Sequence, residues 1–355
     1  MQMSIESVEK IAEAVLYEGY MLYPYRASAV KNQQRWNFGV VYPRAYSEQQ
    51  SGSDAWTMQT ECVLEADLST RLNIEIRFLQ IVNRSIGKLL HPASELPASG
   101  EPEFAIVDKL TTGGRTYTSW QEAMERKVTL PALNPAAFLS QRQSFFDFRA
   151  EREFEAITSP NGMIEGVIIR DWENLSGSIE FVLKKSRDGL FKATVRVRNL
   201  TAFGIPQVDS RSDALTRSFV SAHTILSAEG GKFVSLLDPP QDFEELAAEC
   251  TNIGTWPVLV GEEGARNAML SSPIILYDYP QIAPESPGSL FDGTEIDEIL
   301  SLRILTMTDA EKQEMRQSDG RGREILERTE NMPPEQFMKL HGVLRGLRHV
   351  AEEAQ

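Results

Sequence analysis

Residues 179–198 read IEFVLKKSRDGLFKATVRVR, and this stretch decides the fold. Apolar side chains recur at every second position, first from Ile179 to Leu183 and then from Phe191 to Val197. The polar positions of the second run are Lys192, Thr194, Arg196 and Arg198. A two-residue period is that of a strand with one buried and one wet face, and Asp188-Gly189 favours a tight turn. The stretch therefore predicts an antiparallel β-hairpin.

The same period recurs elsewhere in the chain. A further strand is predicted by the alternation of Leu72, Ile74, Ile76 and Phe78 with polar residues. Other strand candidates lie at 38–42, 56–66, 145–157, 163–171 and 217–236. Loops rich in Ser, Pro, Gly and Asp join these strands, and no helices alternate regularly with them. This organisation favours an antiparallel β-sandwich over a parallel α/β fold.

Helical patterns flank the strands. A helical stripe near the start contains Ile5, Val8, Ile11, Ala12 and Val15, with Ser4 as its N-cap. Helical patterns return at 241–250 and dominate after Gly293. We therefore predict an α+β protein with an antiparallel β-sandwich-like core, an N-terminal helix and a helical C-terminal part. The predicted domains are a β-rich domain over 1–240 and, over 241–355, an acidic, proline-containing connector followed by helices.

The 355 residues carry a formal net charge of -15. Such a charge disfavours general binding of nucleic acids, because contacts to phosphates need clustered lysine and arginine. The start lacks the pattern of a signal peptide, and no stretch has the roughly 18 uninterrupted apolar residues of a spanning helix. Only Cys62 and Cys250 are present, without a CxxC motif, which suits a reducing compartment. We expect a cytoplasmic protein that does not insert into membranes.

Acidic residues concentrate in one segment. From Glu229 to Glu298 the chain has fourteen acidic residues, and its only basic ones are Lys232 and Arg266. The negative electrostatic potential of these residues can steer a basic partner or a cation towards the segment. It can also be a solvated face that keeps the protein soluble.

Motifs for metal binding and catalysis are absent from the sequence. The histidines are scattered at His91, His223, His341 and His349. No GxSxG or P-loop motif occurs, so we expect no catalytic residue, cofactor or metal. The one enzymatic alternative is a carboxylate-dependent hydrolase on a β-sandwich, with Asp278, Asp292 or Asp297 as acid and base. Against it, Asp297 and Glu298 in a first helical turn would complement the helix dipole without any chemistry.

Residues 17–36, YEGYMLYPYRASAVKNQQRW, are rich in aromatic and basic side chains. Tyrosine, tryptophan and arginine are the residue types favoured at protein interfaces. The predicted partner-binding residues are Tyr17, Tyr20, Tyr23, Tyr25, Arg26, Arg35, Trp36 and, in the connector, Asp278 and Tyr279. Packing of the tyrosines in a seam of the core is one alternative, and a small-ligand binding module that holds its ligand among the tyrosines is another.

Three segments carry a resemblance to a known family. They are LYEGYMLYPYRASAVKNQQRWNFGVVYPRAYSE (16–48), EGGKFVSLLDPP (229–240) and SPIILYDYPQIAPESPGSLFDGTEIDEILSLRILTMTDAEK (272–312). The chain resembles an uncharacterised family of bacterial proteins encoded beside the structural and maturation genes of uptake NiFe hydrogenases. The resemblance implies an accessory protein for assembly, maturation or scaffolding, whose partner is a hydrogenase subunit or maturation factor. The family supplies no catalytic residues.

Overall fold

The fold is that of a computed structural model, which describes residues 39–50, 54–133, 142–204 and 211–281. It also describes single positions near both ends, namely 9, 11–13, 15, 16, 308, 309, 312, 316, 326, 327, 329–331 and 333. The chain forms two compact units, Met1–Pro280 and Gln281–Gln355. Strands dominate the first unit.

Within the described ranges, the strands are β1 (Thr57–Glu65), β2 (Arg71–Ala93), β3 (Phe104–Val107), β4 (Lys109–Thr112), β5 (Arg115–Thr118), β6 (Trp120–Leu133), β7 (Arg142–Phe148), β8 (Glu151–Thr158), β9 (Ile164–Trp172), β10 (Leu175–Arg187), β11 (Leu190–Asn199), β12 (Val220–Glu229), β13 (Lys232–Phe233), β14 (Trp256–Leu259) and β15 (Ala268–Ser272). They form a five-stranded sheet, an eight-stranded sheet and the small hairpin β4–β5. Short helices lie at Arg44–Gln49, Arg211–Thr216 and Glu244–Ala248, and a 3₁₀ turn lies at Gln241–Phe243.

The predicted hairpin is confirmed and lies inside the five-stranded sheet, whose order is β13-β1-β11-β10-β7. β10 pairs antiparallel with β11, which places Phe181 opposite Val195. Between these strands Gly189 has a φ of +72°, a left-handed conformation that glycine adopts without a steric penalty. β11 then pairs antiparallel with β1 along the full length of β1.

The long strand β2 organises the eight-stranded sheet, whose order is β14-β15-β12-β2-β9-β8, with β3 and β6 also paired to β2. Its first half pairs with β12 and β6, and its second half pairs with β9 and β3. Both faces of β2 are buried over much of its length, so polar residues such as Arg77 and Gln80 are buried there beside the apolar ones.

The main core lies between the two large sheets, as in a β-sandwich. Ile179 and Val197 of the five-stranded sheet share it with Ile76 and Leu226 of the eight-stranded sheet. All four side chains are essentially removed from water. Burial of this kind is worth roughly 25 cal/mol per Å² of apolar surface, and it is the main source of stability of the unit. The predicted antiparallel β-rich fold is therefore confirmed.

The described part of the predicted N-terminal helix is also confirmed. Residues 9, 11–13, 15 and 16 are helical, and Ile11, Ala12 and Val15 of the predicted stripe are buried. Leu16 packs with Leu79 and Val220 in a separate small core. Most of the region after Gly293 lies outside the described residues, so the helical C-terminal part stays a prediction.

Several sequence-based boundaries differ from the structure. The candidate at 145–157 is two strands, β7 and β8, because the chain leaves the first sheet at Arg149 and joins the second. Of the candidate at 38–42, the described residues 39–42 form only an isolated bridge, from Val41 to Phe219. The compact unit ends at Pro280 rather than at 240, because β14 and β15 extend the sheet of β12. No helix in the described part of the chain has the length and apolar character needed to cross a bilayer.

Candidate protein-binding surface

Of the predicted partner-binding residues, Asp278 and Tyr279 lie in the described part of the chain. The other seven, Tyr17, Tyr20, Tyr23, Tyr25, Arg26, Arg35 and Trp36, lie outside the described residues. The geometry of the candidate surface is therefore built from the segment around Asp278.

Residues 273–279 lead back to the free edge of β14, which they meet at Leu259. Ser272, at the end of β15, lies opposite Trp256, and the chain then turns back so that the Tyr279 N–H donates to the Leu259 carbonyl across 2.7 Å. β14 is the last strand of its sheet, so this return covers an edge that would otherwise be open.

The Asp278 carboxylate fixes this return. Its Oδ1 accepts the backbone N–H of Leu259 at 2.7 Å, and its Oδ2 accepts the Ser235 hydroxyl at 2.5 Å. The Ser235 oxygen in turn accepts the N–H groups of Leu237 and Asp238. One side chain thus joins the edge strand, the return segment and the turn that follows β13. Asp278 has a structural function here, and both of its oxygens are occupied.

Tyr279 turns inward. Its ring packs against the main core, and its backbone has a φ of +57°, which is uncommon for a residue other than glycine. Burial is the largest cause that raises the pKa of its hydroxyl, and the negative charge of Asp278 acts in the same direction. The strained conformation persists because the hydrogen bond to Leu259 and the core contacts hold it.

Apolar side chains at this edge are exposed. Tyr277 is 86% exposed and Ile275 is 72% exposed, whereas Leu276 between them is buried. The other exposed apolar side chains of this region are Leu237, Ile253 and Trp256. We call these five residues, Leu237, Ile253, Trp256, Ile275 and Tyr277, the edge surface. Ile253 is placed by its paired backbone bonds with Gln59, and Trp256 by its register with Ser272. Large apolar side chains exposed near one sheet edge are candidates for an interaction site on a folded protein.

Acidic residues accompany the edge surface. Asp238 follows Leu237, and Glu262 and Glu263 lie in the connection between β14 and β15, next to Tyr279. These three side chains are exposed, and none forms an ion pair with a residue that the structure describes. Their charges are not neutralised locally, so a positive surface that approaches the edge surface is attracted.

The edge of β14 is unsuited to adding another strand. Leu259 and Pro257 point their backbone groups outward, but those of Leu259 are already bonded to Asp278 and Tyr279. Pro257 has no N–H to offer. A partner must therefore contact the exposed side chains rather than extend the sheet.

The sequence predicted Asp278 and Tyr279 as partner-binding residues of this segment. The side chains that face outward are instead those of Ile275 and Tyr277. Residues 274–277 are all apolar in the sequence, so the alternation of exposed Ile275, buried Leu276 and exposed Tyr277 is seen only in the structure. Proline-rich composition alone did not show that this segment covers a sheet edge.

The described residues provide little for the chemistry of the hydrolase alternative. Asp278 is bonded as described above, and Asp292, Glu295, Asp297 and Glu298 lie outside the described residues. Burial raises the pKa of Cys62, and it raises the pKa of Cys250 to about 11, so neither thiol is a ready nucleophile at neutral pH. Within the described ranges, no group of three or more His, Cys, Asp and Glu side chains is placed to hold a metal ion.

His223 is buried in the second sheet, while His91 is exposed on the surface; His341 and His349 lie outside the described residues.

A comparison with models of known protein families found no match, and neither did a comparison with curated proteins.

Proposed function

We propose that the protein is a cytoplasmic accessory protein that acts by contact with another protein, and that the edge surface is part of the contact. The single observation that carries the proposal is the exposure of Ile275 and Tyr277 on a segment that Asp278 holds rigidly. A preorganised segment loses little conformational freedom on binding, so its exposed side chains can contribute most of their contact energy.

The partner that fits is a folded protein with an apolar contact surrounded by lysine and arginine. Asp238, Glu262 and Glu263 supply the complementary charge. Electrostatic complementarity raises the association rate and selects the partner, while buried apolar and aromatic side chains supply most of the affinity. Binding should therefore weaken as salt concentration rises, without being abolished.

The identity of the partner is a proposal that rests on the family resemblance. We infer that a NiFe-hydrogenase subunit or maturation factor is the protein to test first. The edge surface and the acidic residues beside it suit an assembly or scaffold role, in which a subunit precursor is held through surface contacts.

The test uses purified full-length protein and the purified hydrogenase subunits and maturation factors of the same organism. Binding is measured by biolayer interferometry at low and high salt. Ile275→Ser with Tyr277→Ser removes the two most exposed apolar side chains of the edge surface. A matched control is Ile106→Ser with Leu68→Ser, because Ile106 is 62% exposed on β3 and Leu68 is exposed in the loop before β2.

We expect the edge-surface double variant to weaken binding at least tenfold and the control pair to bind like the wild type. A second pair, Glu262→Gln with Glu263→Gln, should reduce the salt dependence, whereas Glu95→Gln with Glu103→Gln should not. Binding that is equal in the edge-surface and control variants would contradict the proposed surface. Absence of binding to every hydrogenase component would exclude the proposed partner.

A further inference from the structure

Strand β7 ends the five-stranded sheet, and β10 is its only partner among the described strands. The two strands pair antiparallel along the full length of β7. Phe146 and Phe148 of β7 point inward and pack against the main core. Because side chains alternate along a strand, Gln143, Phe145 and Asp147 lie on the outward face, and all three are exposed.

The hydrogen-bond pattern shows which backbone groups of β7 face the open side. The N–H of Leu200 donates to the Ser176 carbonyl, so the even-numbered residues of β10 bond to β11. Bonded positions alternate in an antiparallel pair, so the odd-numbered residues of β10 bond to the even-numbered residues of β7 opposite them. The N–H and C=O groups of Gln143, Phe145 and Asp147 therefore point away from the sheet.

The other outer strands of the two large sheets carry features that discourage pairing with another chain. Among the described strands, β13 and β3 have only two and four residues, and four of the first five residues of β8 are charged. β14 contains Pro257 and is met by the return segment, and β6 contains Pro131 and four charged residues. Short length, proline and charge are the usual protections of a sheet edge. β7 has seven residues without proline, and at its centre Phe145 is 66% exposed.

The sequence of β7 is complementary to itself. When a second copy approaches antiparallel about a two-fold axis at Phe145, the two Phe145 residues lie opposite each other. Gln143 of each copy then lies opposite Asp147 of the other. These are the residues whose backbone groups point outward, so each opposite pair exchanges two backbone hydrogen bonds.

The outward side chains also match in this register. The two exposed rings pack against each other, and the Gln143 amide donates to the Asp147 carboxylate of the second copy. The two Asp147 carboxylates lie about 14 Å apart along the strands, beyond the screening length of about 8 Å at physiological salt. A shift of the second strand by two residues towards Asp147 would place each ring opposite a carboxylate, so the register centred on Phe145 is favoured.

We propose that the protein forms a homodimer in which the β7 strands of two copies pair antiparallel about Phe145. The pairing joins two five-stranded sheets into one continuous sheet. Since one strand of each copy supplies the contact, its area is smaller than the roughly 1,600 Å² of a standard interface, and the dimer is reversible. The edge surface borders β14 of the other sheet, so this proposal is independent of the proposed function.

The test is sedimentation velocity of the full-length protein from low to high micromolar concentration. Phe145→Asp removes the ring contact and places two carboxylates at the axis. Gln143→Asp places a carboxylate opposite each Asp147, and combining it with Asp147→Lys gives opposite charges across the axis again. Ile106→Asp is the matched control, because Ile106 is 62% exposed on β3, at the edge of the other sheet.

We expect the dimer fraction to rise with concentration in the wild type and equally in Ile106→Asp. Phe145→Asp should raise the dissociation constant about tenfold and Gln143→Asp about fivefold, because like charges directly opposite each other repel. Adding Asp147→Lys to Gln143→Asp should recover most of that loss. Circular dichroism should show the wild-type fold in every variant, since the changed side chains are exposed.

A wild type that stays monomeric at every concentration would overturn the proposal. So would a dimer that Phe145→Asp leaves as tight as the wild-type dimer. If Asp147→Lys does not recover the dimer in the combined variant, the register centred on Phe145 is wrong.

Discussion

The Oδ1 atom of Asp278 lies 2.7 Å from the backbone nitrogen of Leu259, and this bond attaches the return segment to the edge of β14. The Ser235 hydroxyl donates to the other oxygen. In Asp278→Asn the side-chain NH2 group would face the Ser235 oxygen, which already accepts two backbone N–H groups. The hydrogen bond between the side chains of residues 235 and 278 is therefore lost. We expect this change to lower the free energy of unfolding by about 1 kcal/mol, and Asp278→Ala by about 2 kcal/mol.

Urea unfolding at neutral pH measures both variants. Asp238→Asn is the control, because Asp238 is exposed, and it should stay within about 0.5 kcal/mol of the wild type. A fully stable Asp278→Ala variant would show that the return segment is held by other contacts.

The sequence predicted the elements that depend on local pattern. The hairpin of β10 and β11 follows from its two-residue period and the Asp188-Gly189 turn, both of which lie within 20 consecutive residues. Burial of Ile11 and Val15 follows from helical spacing in the same way. Such signals are reliable because they need no information about the rest of the chain.

Other features depend on contacts between distant residues. The strands β14 and β15 are short, and the pairing of β15 with β12 places Ser227 opposite Ala268, which lies 41 positions later in the sequence. The bonds of Asp278 join it to Ser235 and Leu259, which lie 43 and 19 positions earlier in the chain. The polar side of β11, predicted to be wet, is half-buried because Gln59 and Glu180 bond to its arginines. No local pattern contains that information.

Substitutions of Gly189 test the turn that joins β10 to β11. Its φ of +72° penalises a β-carbon, so Gly189→Ala should lower the free energy of unfolding by about 1 kcal/mol. Gly189→Asn should cost less, because asparagine tolerates the left-handed region better than alanine. Thermal and urea unfolding of the two variants give the order, and a more stable alanine variant would contradict the assigned turn.

Substitution of Glu180 tests the ion pairs on the polar face of the same sheet. Its burial would raise the pKa of the carboxyl, but the bonds from Arg196 and Arg198 outweigh burial, and the pKa is lowered. A lowered pKa in the folded state means that this carboxylate stabilises the fold above its unfolded pKa, and that the contribution is lost as the pH falls. Glu180→Gln leaves both guanidinium groups without this carboxylate and should cost about 2 kcal/mol at neutral pH.

The control for that variant is Glu153→Gln, since Glu153 is exposed on β8. The difference in stability between wild type and Glu180→Gln should shrink below about pH 4.5, where the unfolded carboxylate takes up its proton. A constant difference down to low pH would show that the packing of Glu180, rather than its charge, is what matters.

His223 should make the protein sensitive to mild acid. The imidazole is fully buried opposite Arg77, which is itself bonded to Glu125, and its Nε2 lies 3.2 Å from the Ser272 hydroxyl. Burial is the largest cause that lowers its pKa from 6.5 to about 4, and the charge of Arg77 adds to the effect. Between these two pH values the unfolded chain binds a proton that the folded chain does not.

Stability therefore falls as the pH drops from 6.5 to 4, by up to about 3 kcal/mol from this residue alone. His223→Gln should be less stable than the wild type at pH 7 but should lose less stability on acidification. His91→Gln, at an exposed position, should follow the wild-type curve. Urea unfolding at intervals of 0.5 pH unit gives the slope of the free energy of unfolding against pH for the wild type and the two variants. Equal slopes for wild type and His223→Gln would mean that the buried imidazole takes up its proton without unfolding, which the burial on β12 argues against.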